Sequence, residues 1–324
     1  MPLRKIVTEK KVVEALNALP PATSEVMDTY YPSNIRRSHP SAYIRIDEIA
    51  QIAKAVPVVL RGSTPVSIGD GAGSINAIEP QPIDVIDPIS GTDLNNLKHF
   101  DGTSEKIWLE NRMLFARDTI RATSEALCIQ SLSGKISFAM KTEDGMDTYD
   151  VKFGDILLYT PAKLLSATDA DIATLLNIAR GMKRRIKKAG GGTKVSFECA
   201  PNVFDKIVSL TQNLGSTSAV KVEHDGDSIK VGGFKFSSFD AEYYDPATKA
   251  YVAGIAAGTM KAIASDGGFA FRYLALDDID AGLKPLPLYS KAIKREMPSG
   301  WIVNTMSKPL PIPNPSAICD ATVL

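Results

Sequence analysis

From Ser104 to Leu132 the residues Leu109, Met113, Ala116, Ile120, Thr123 and Leu127 recur at alternating steps of four and three. Those steps keep them on one stripe of a helix, while Glu105, Glu110, Arg112, Arg117, Asp118, Arg121 and Glu125 fall on the other faces. At 1.5 Å per residue the predicted helix is roughly 40 Å long, and Gly134 can supply its left-handed stop. A second stripe, Ile172, Leu175, Leu176, Ala179, Met182 and Ile186, predicts a helix over 168–188. Thr168 with Asp171 resembles a capping box there, and Gly190-Gly191-Gly192 ends the segment. Shorter helices are predicted over 8–19 and 202–214, with another helical piece over 44–52.

Alternation and turn residues predict the strands. Lys135–Lys141 and Thr148–Phe153 flank a Glu143-Asp144-Gly145 turn and read as a hairpin. Val56–Leu60, Val66–Ile68 and Ile75–Ile89 are β-like around the flexible tip Gly69-Asp70-Gly71-Ala72-Gly73, which predicts a long second hairpin. It holds few large apolar residues and no aromatic one, so it can hardly fold on a core of its own. A projecting loop whose partner lies elsewhere is the expectation. Residues 193–275 alternate strands with one helix, turning at 224–227 and at 244–246. Residues 1–55 read as an arm rather than a core, with a turn at 28–32. Toward the end, Trp301–Met306 is β-forming and leads into Pro309, Pro311, Pro313 and Pro315. Proline lacks the ladder N–H, so 310–314 should be extended and at a sheet edge. The apolar stretch 317–324 is expected to be tied into a sheet rather than left as a tail. The class is α+β.

Charge narrows the function. Lys plus Arg and Asp plus Glu number 37 each, which argues against a dedicated nucleic-acid binder and means weak self-repulsion. Six basic residues stand in the nine positions 180–188, including Lys183, Arg184, Arg185, Lys187 and Lys188. Cations complement a helix C-terminus at about 0.3–1 kcal/mol each. This density exceeds what capping needs, so an acidic neighbour or nucleic acid is the candidate contact. Cys128, Cys199 and Cys319 have neither metal-ligand nor disulfide-framework spacing, so buried thiols in a reducing compartment are expected. No signal-peptide h-region and no apolar run near 18 residues occurs, so synthesis and retention in a cytoplasm are expected.

Enzyme motifs are weak. The 69–73 loop lacks the Gly-Lys-Ser/Thr and helix of a phosphate cradle. His39, His99 and His224 sit near predicted turns without a nucleophile elbow. Asp277-Asp278-Ile279-Asp280 reads as a solvated acidic turn rather than a calcium loop. The enzyme alternative is a cytosolic α+β hydrolase or transferase using Asp277, Asp278 and His224. No catalytic, cofactor-binding or metal-ligating residue is expected.

Three stretches in order carry a family resemblance. They are Ile78-Glu79-Pro80 through Pro88; Trp108 through Leu132, followed by Gly134-Lys135 and Tyr149-Asp150-Val151-Lys152-Phe153-Gly154; and Ser307-Lys308-Pro309-Leu310-Pro311-Ile312-Pro313-Asn314-Pro315. Together they resemble the lambda-type phage major capsid protein family, which has the HK97-like capsid fold. The resemblance implies an N-terminal arm over 1–55 and an E-loop over 56–95. It also implies a P-domain with spine helix and hairpin over 96–159, an A-domain over 160–295, and a C-terminal strand over 296–324 returning to the P-domain. It implies a shell subunit of a tailed bacteriophage, not an enzyme, assembled in the host cytoplasm into hexamers and pentamers of an icosahedral capsid enclosing double-stranded DNA. A scaffolding protein, a portal and a decoration protein are the implied partners, with no membrane. No built-in scaffold is expected, because no long charged helix precedes the arm. An encapsulin-like compartment is the alternative with the same fold. Arg61, Gly69, Asp70, Gly71 and Gly73 become the expected intersubunit contacts of the E-loop. In one branch of this fold a loop lysine joins an asparagine of a neighbour. From Gly62 to Leu97 there is no lysine, so a shell without such cross-links is expected.

Overall fold

The computed structural model describes residues 9–19, 24–45, 77–97, 102–212 and 220–324. In chain order the first elements are α1 (Glu9–Ala18), α2 (Glu25–Tyr30), β1 (Arg36–Ser38), β2 (Ile44–Arg45), β3 (Ala77–Ile78), β4 (Ile83–Ser90), α3 (Gly91–Leu97) and α4 (Gly102–Ser131). Then come β5 (Lys135–Thr142), β6 (Gly145–Lys152), β7 (Leu157–Leu158), α5 (Ile172–Lys188), β8 (Val195–Cys199) and α6 (Pro201–Gln212). Strands β9 (Val222–Asp225), β10 (Ser228–Val231), β11 (Phe234–Ser238), β12 (Glu242–Asp245), β13 (Ala250–Ala253), β14 (Thr259–Ala264) and β15 (Ala270–Tyr273) follow. The chain closes with β16 (Tyr289–Arg295), β17 (Gly300–Ser307), β18 (Pro309–Ile312) and β19 (Ile318–Thr322).

The 30-residue α4 is the long helix the periodicity predicts, and Leu109, Met113, Ala116, Ile120 and Leu127 are buried along it. Gly134 ends that region at φ 81°, where a Cβ would come within 2.4 Å of the Gly154 carbonyl oxygen. The hairpin β5–β6 follows in continuous antiparallel register from Lys135–Lys152 to Thr142–Gly145. Helix α5 starts at Ile172, the first residue of its apolar stripe, and not at the predicted 168. Its N-cap is Asp171, paired with Thr174 rather than with Thr168, because the Asp171 carboxylate accepts the Thr174 N–H at 2.8 Å.

The largest core surrounds a seven-stranded mixed sheet in the order β7-β19-β14-β8-β11-β10-β9. Side chains alternate across it. Phe197 stacks on its register partner Phe236 at 5.1 Å, on the side that α5 covers. Glu198 points to the other side, where Tyr30 of α2 donates to it at 2.7 Å. A smaller core joins α1 and α4 to a sheet of order β16-β17-β4, through Val12, Ile89, Met113 and Val303. A third lies between α4 and the β5–β6 hairpin and includes Leu127, Ile136, Leu310 and Ile312.

Three expectations are corrected. Residues 28–32 are not a free turn, and 24–45 is not a loose arm: Val26, Met27, Tyr30 and Tyr31 lie inside the largest core. The reason is tertiary. Glu125 of α4 accepts the N–H groups of Val26 and Met27 at 2.6 and 2.9 Å, satisfying donors that a helix start leaves open. Arg121 adds a bond to the Ser24 hydroxyl at 2.5 Å. Of the helical piece expected over 44–52, Ile44 and Arg45 form β2 against β3, and the remainder lies outside the described residues. Finally, 296–324 is not one strand returning to one place. β17 pairs with β16 and β4, β18 with β15, and β19 with β14 and β7. The prolines that interrupt the N–H ladder let the chain leave one sheet for the next. β18 is an edge strand, as its prolines require, yet it is wholly buried.

The turn after β14 is fastened by Asp266, whose carboxylate accepts the backbone N–H of Thr193 and of Lys194, both at 2.9 Å. These bonds, with that of Lys194 the largest influence, hold its pKa at about 2 against an ordinary 3.8. The folded value is depressed, so the stabilisation is fully present above pH 4 and is lost as pH falls toward 2. In unfolding titrations the gap between the unaltered chain and Asp266→Asn is therefore expected to shrink across that window. A gap that stays constant from pH 6 to pH 2 would contradict the assignment.

Candidate assembly surfaces

The basic end of α5 is presented to solvent. Arg184, Arg185, Lys187 and Lys188 are exposed, while Ile186 between them is buried. Lys183 is half-buried with its ammonium 5.6 Å from the Phe234 ring. The helix carbonyls need none of these cations. The Gly190 N–H donates to Lys187 O and the Gly191 N–H to Ile186 O, a backbone C-cap with Gly190 at φ 75°. Among the described residues no carboxylate forms an ion pair with Lys183, Arg184, Arg185, Lys187 or Lys188. From Ile172 to Lys188 there is no acidic residue at all.

On the opposite side of the sheet, a cleft of about 350 Å³ opens between α2 and β8–β11. Its charged lining is Glu25, Glu198, Asp225 and Asp227 against Lys235. Burial raises the Glu198 pKa, partly offset by the Tyr30 hydroxyl. Sequence reading missed this cleft, because its carboxylates come from α2, β8 and the β9–β10 turn. Only the alternation of Phe197, Glu198 and Cys199 along β8 hinted that Glu198 faces away from the aromatic layer.

Arg61, Gly69, Asp70, Gly71 and Gly73 lie outside the described residues. Among the described residues that follow them, β4 is the edge of its sheet and pairs with β17 from Ile83–Ser307 to Ser90–Gly300. Its Ile86 is 60% exposed, and Ile293 of β16 and Met297 of the following turn are also exposed. Arg112 of α4 anchors the strand, donating to Asp87 at 2.6 Å.

The acidic turn is not simply solvated. Asp277 pairs with the buried Lys308 at 3.0 Å, and Lys291 sits between Asp278 and Asp280 at 2.5 and 2.9 Å. Lys308 and Lys291 belong to the β16–β18 region, so the turn ties that region to the end of β15. His224 lies on β9, the far edge strand of the large sheet, and among the described residues no hydrogen bond or ion pair joins it to Asp277 or Asp278. The described residues contain no group of His, Cys, Asp and Glu suited to a metal ion. All three cysteines are buried; burial pushes the Cys319 thiol up to about 12 and raises those of Cys128 and Cys199 well above the ordinary 9.0. Among the described residues no helix is long and apolar enough to cross a membrane.

Among the described residues the geometry presents a basic stripe on α5, an acidic cleft across the sheet from it, and exposed apolar side chains on the β16-β17-β4 sheet. Comparison with known proteins identifies the family. A family model described as phage major capsid protein E matches residues 9–323. The crystal structure of a prophage capsid protein from E. coli CFT073 superposes with a TM-score of 0.66 at 16% identity, covering 98% of this chain and 99% of that one. The mature capsid of bacteriophage PhiM1 gives a TM-score of 0.48 at 13% identity, over 94% and 89%. An encapsulin complex from Synechococcus elongatus PCC 7942 gives 0.46 at 7% identity, over 96% and 95%. The fold likeness rests on the first of these. No curated protein matches the chain.

Proposed function

We propose, from the premise that this chain belongs to the phage major capsid protein E family, that its copies form the hexamers and pentamers of an icosahedral shell around packaged double-stranded DNA. The chain is a capsid subunit and a structural protein, not an enzyme. The family match over 9–323 carries the reading.

The division into E-loop, P-domain and A-domain gives the elements their roles. Helix α4 is the spine on which α1, α2 and the β5–β6 hairpin are mounted. The seven-stranded sheet with α5 and α6 is the axial domain. The segment before β3, with Arg61, Gly69, Asp70, Gly71 and Gly73, reaches a neighbouring subunit. Assembly takes place in the host cytoplasm with a separate scaffolding protein and a portal as partners.

The test is electron microscopy of the purified chain, followed by boiling of the particles in denaturing detergent. Closed shells that release a single band near 34.9 kDa are expected, since the loop offers no lysine for a covalent link. A small discrete oligomer would overturn the shell. A covalent ladder that survives boiling and reductant would overturn the uncross-linked state.

A further inference from the structure

We propose that the basic outer stripe of α5 docks against the acidic cleft on the opposite face of the sheet in a second copy of this chain. The idea rests on the shell reading above and adds which two surfaces meet.

The seven-stranded sheet separates the surfaces. Phe197 and Phe236 face the α5 side, and Lys183 lies over Phe234 on that same side. Glu198 and its register partner Ser237 face the other way and line the cleft. In one copy the sheet stands between the stripe and the cleft, so their attraction is satisfied only between copies. Arg180, Arg184, Lys187 and Lys188 give the stripe one sign of charge. Four carboxylates against one lysine give the cleft the other.

Two different, complementary surfaces on opposite sides of one subunit are what a heterologous contact needs, and such contacts form rings when the rotation between copies closes. The exact balance of 37 basic and 37 acidic residues favours a second copy over DNA, because the stripe is matched within the chain rather than being an excess. The cleft, at about 350 Å³, has room for a guanidinium, which pairs with carboxylates through a fork of donors. Being surface charges, the pairs are screened by salt over about 8–10 Å.

Charge exchange tests the pairing. The variants are Arg184→Glu with Lys187→Glu, Asp225→Lys with Asp227→Lys, and all four changes together. All four positions are exposed, and circular dichroism checks that the fold is kept. Each pair of reversals places like charges across the contact and is expected to cut shell yield on the order of tenfold. The fourfold variant is expected to regain most of the yield. A fourfold variant no better than the worse pair overturns the pairing. So does an α5 reversal that leaves shells intact but poor in DNA, which would turn the stripe toward the genome.

A second measurement is independent of yield. Arg184→Cys with Asp227→Cys in one chain should give a ladder of covalent multimers under mild oxidation, since the native cysteines are buried. Each single variant should stay monomeric on the same gel. Dimers from Arg184→Cys alone would show a helix-to-helix contact and overturn the proposal. If the unaltered chain builds no shells, the shell reading falls. The ladder, run on the oligomers that do form, still decides the pairing.

Discussion

Replacing Gly191 by alanine is expected to destabilise the chain by about 3 kcal/mol or more, at the upper end of overpacking costs. A Cβ at this position would stand 1.8 Å from the Ser316 carbonyl oxygen and 2.7 Å from the Ala317 Cα. Both are backbone atoms, so no rotamer change relieves the overlap. The segment they belong to, Pro315–Ala317, leads directly into β19, which lies between β14 and β7 in the large sheet. Gly267 meets the same segment and Gly191 itself: its Cβ would lie 2.3 Å from that of Ala317 and 2.7 Å from the Gly191 carbonyl oxygen, and its own carbonyl accepts the Asn314 side-chain N–H at 2.6 Å. Two glycines therefore let three backbone segments meet.

Gly190→Ala is the matched control. Its Cβ would meet nothing within 4 Å, so only the left-handed φ of 75° is penalised, at about 1–2 kcal/mol. Urea unfolding of both variants checks the contrast. Equal losses would show that the C-cap conformation, not the close approach, is what Gly191 provides.

Tyr31→Ala is expected to cost about 4 kcal/mol, in the range for truncating a fully buried aromatic side chain. Tyr31 is 0% exposed, its ring meets Phe269 and Phe271 edge-on at 5.7 and 5.9 Å, and its hydroxyl lies 2.7 Å from the Ser131 hydroxyl. Tyr31→Phe should lose only about 1 kcal/mol. The Ser131 hydroxyl keeps its bond to the Cys128 carbonyl at 2.6 Å, so no buried donor is orphaned. Unfolding of unassembled chains makes the measurement. If 24–45 were an arm that becomes ordered only on a neighbour, Tyr31→Ala would leave the unfolding of single chains unchanged and lower shell formation alone.

Local chemistry settled much of this molecule. The stripe along α4, the β5–β6 hairpin, the basic end of α5 and the edge position of the proline-rich β18 each follow from periodicity, turn residues or a missing N–H. These signals lie within one element, where neighbours in sequence are neighbours in space. The family resemblance was legible for the same reason, because its motifs are contiguous. What the sequence alone could not decide depends on groups far apart in the chain. Helix α2 exists because Glu125, nearly a hundred residues away, receives its first N–H groups. The acidic turn at 277–280 is ion-paired as well as solvated because Lys291 and Lys308 arrive from the β16–β18 region. The acidic cleft forms from three separate segments, and the 296–324 region is divided among three sheets. Periodicity reports which face of an element is buried. Which partner covers that face, and which charges end up opposite one another, is settled only when distant segments pack.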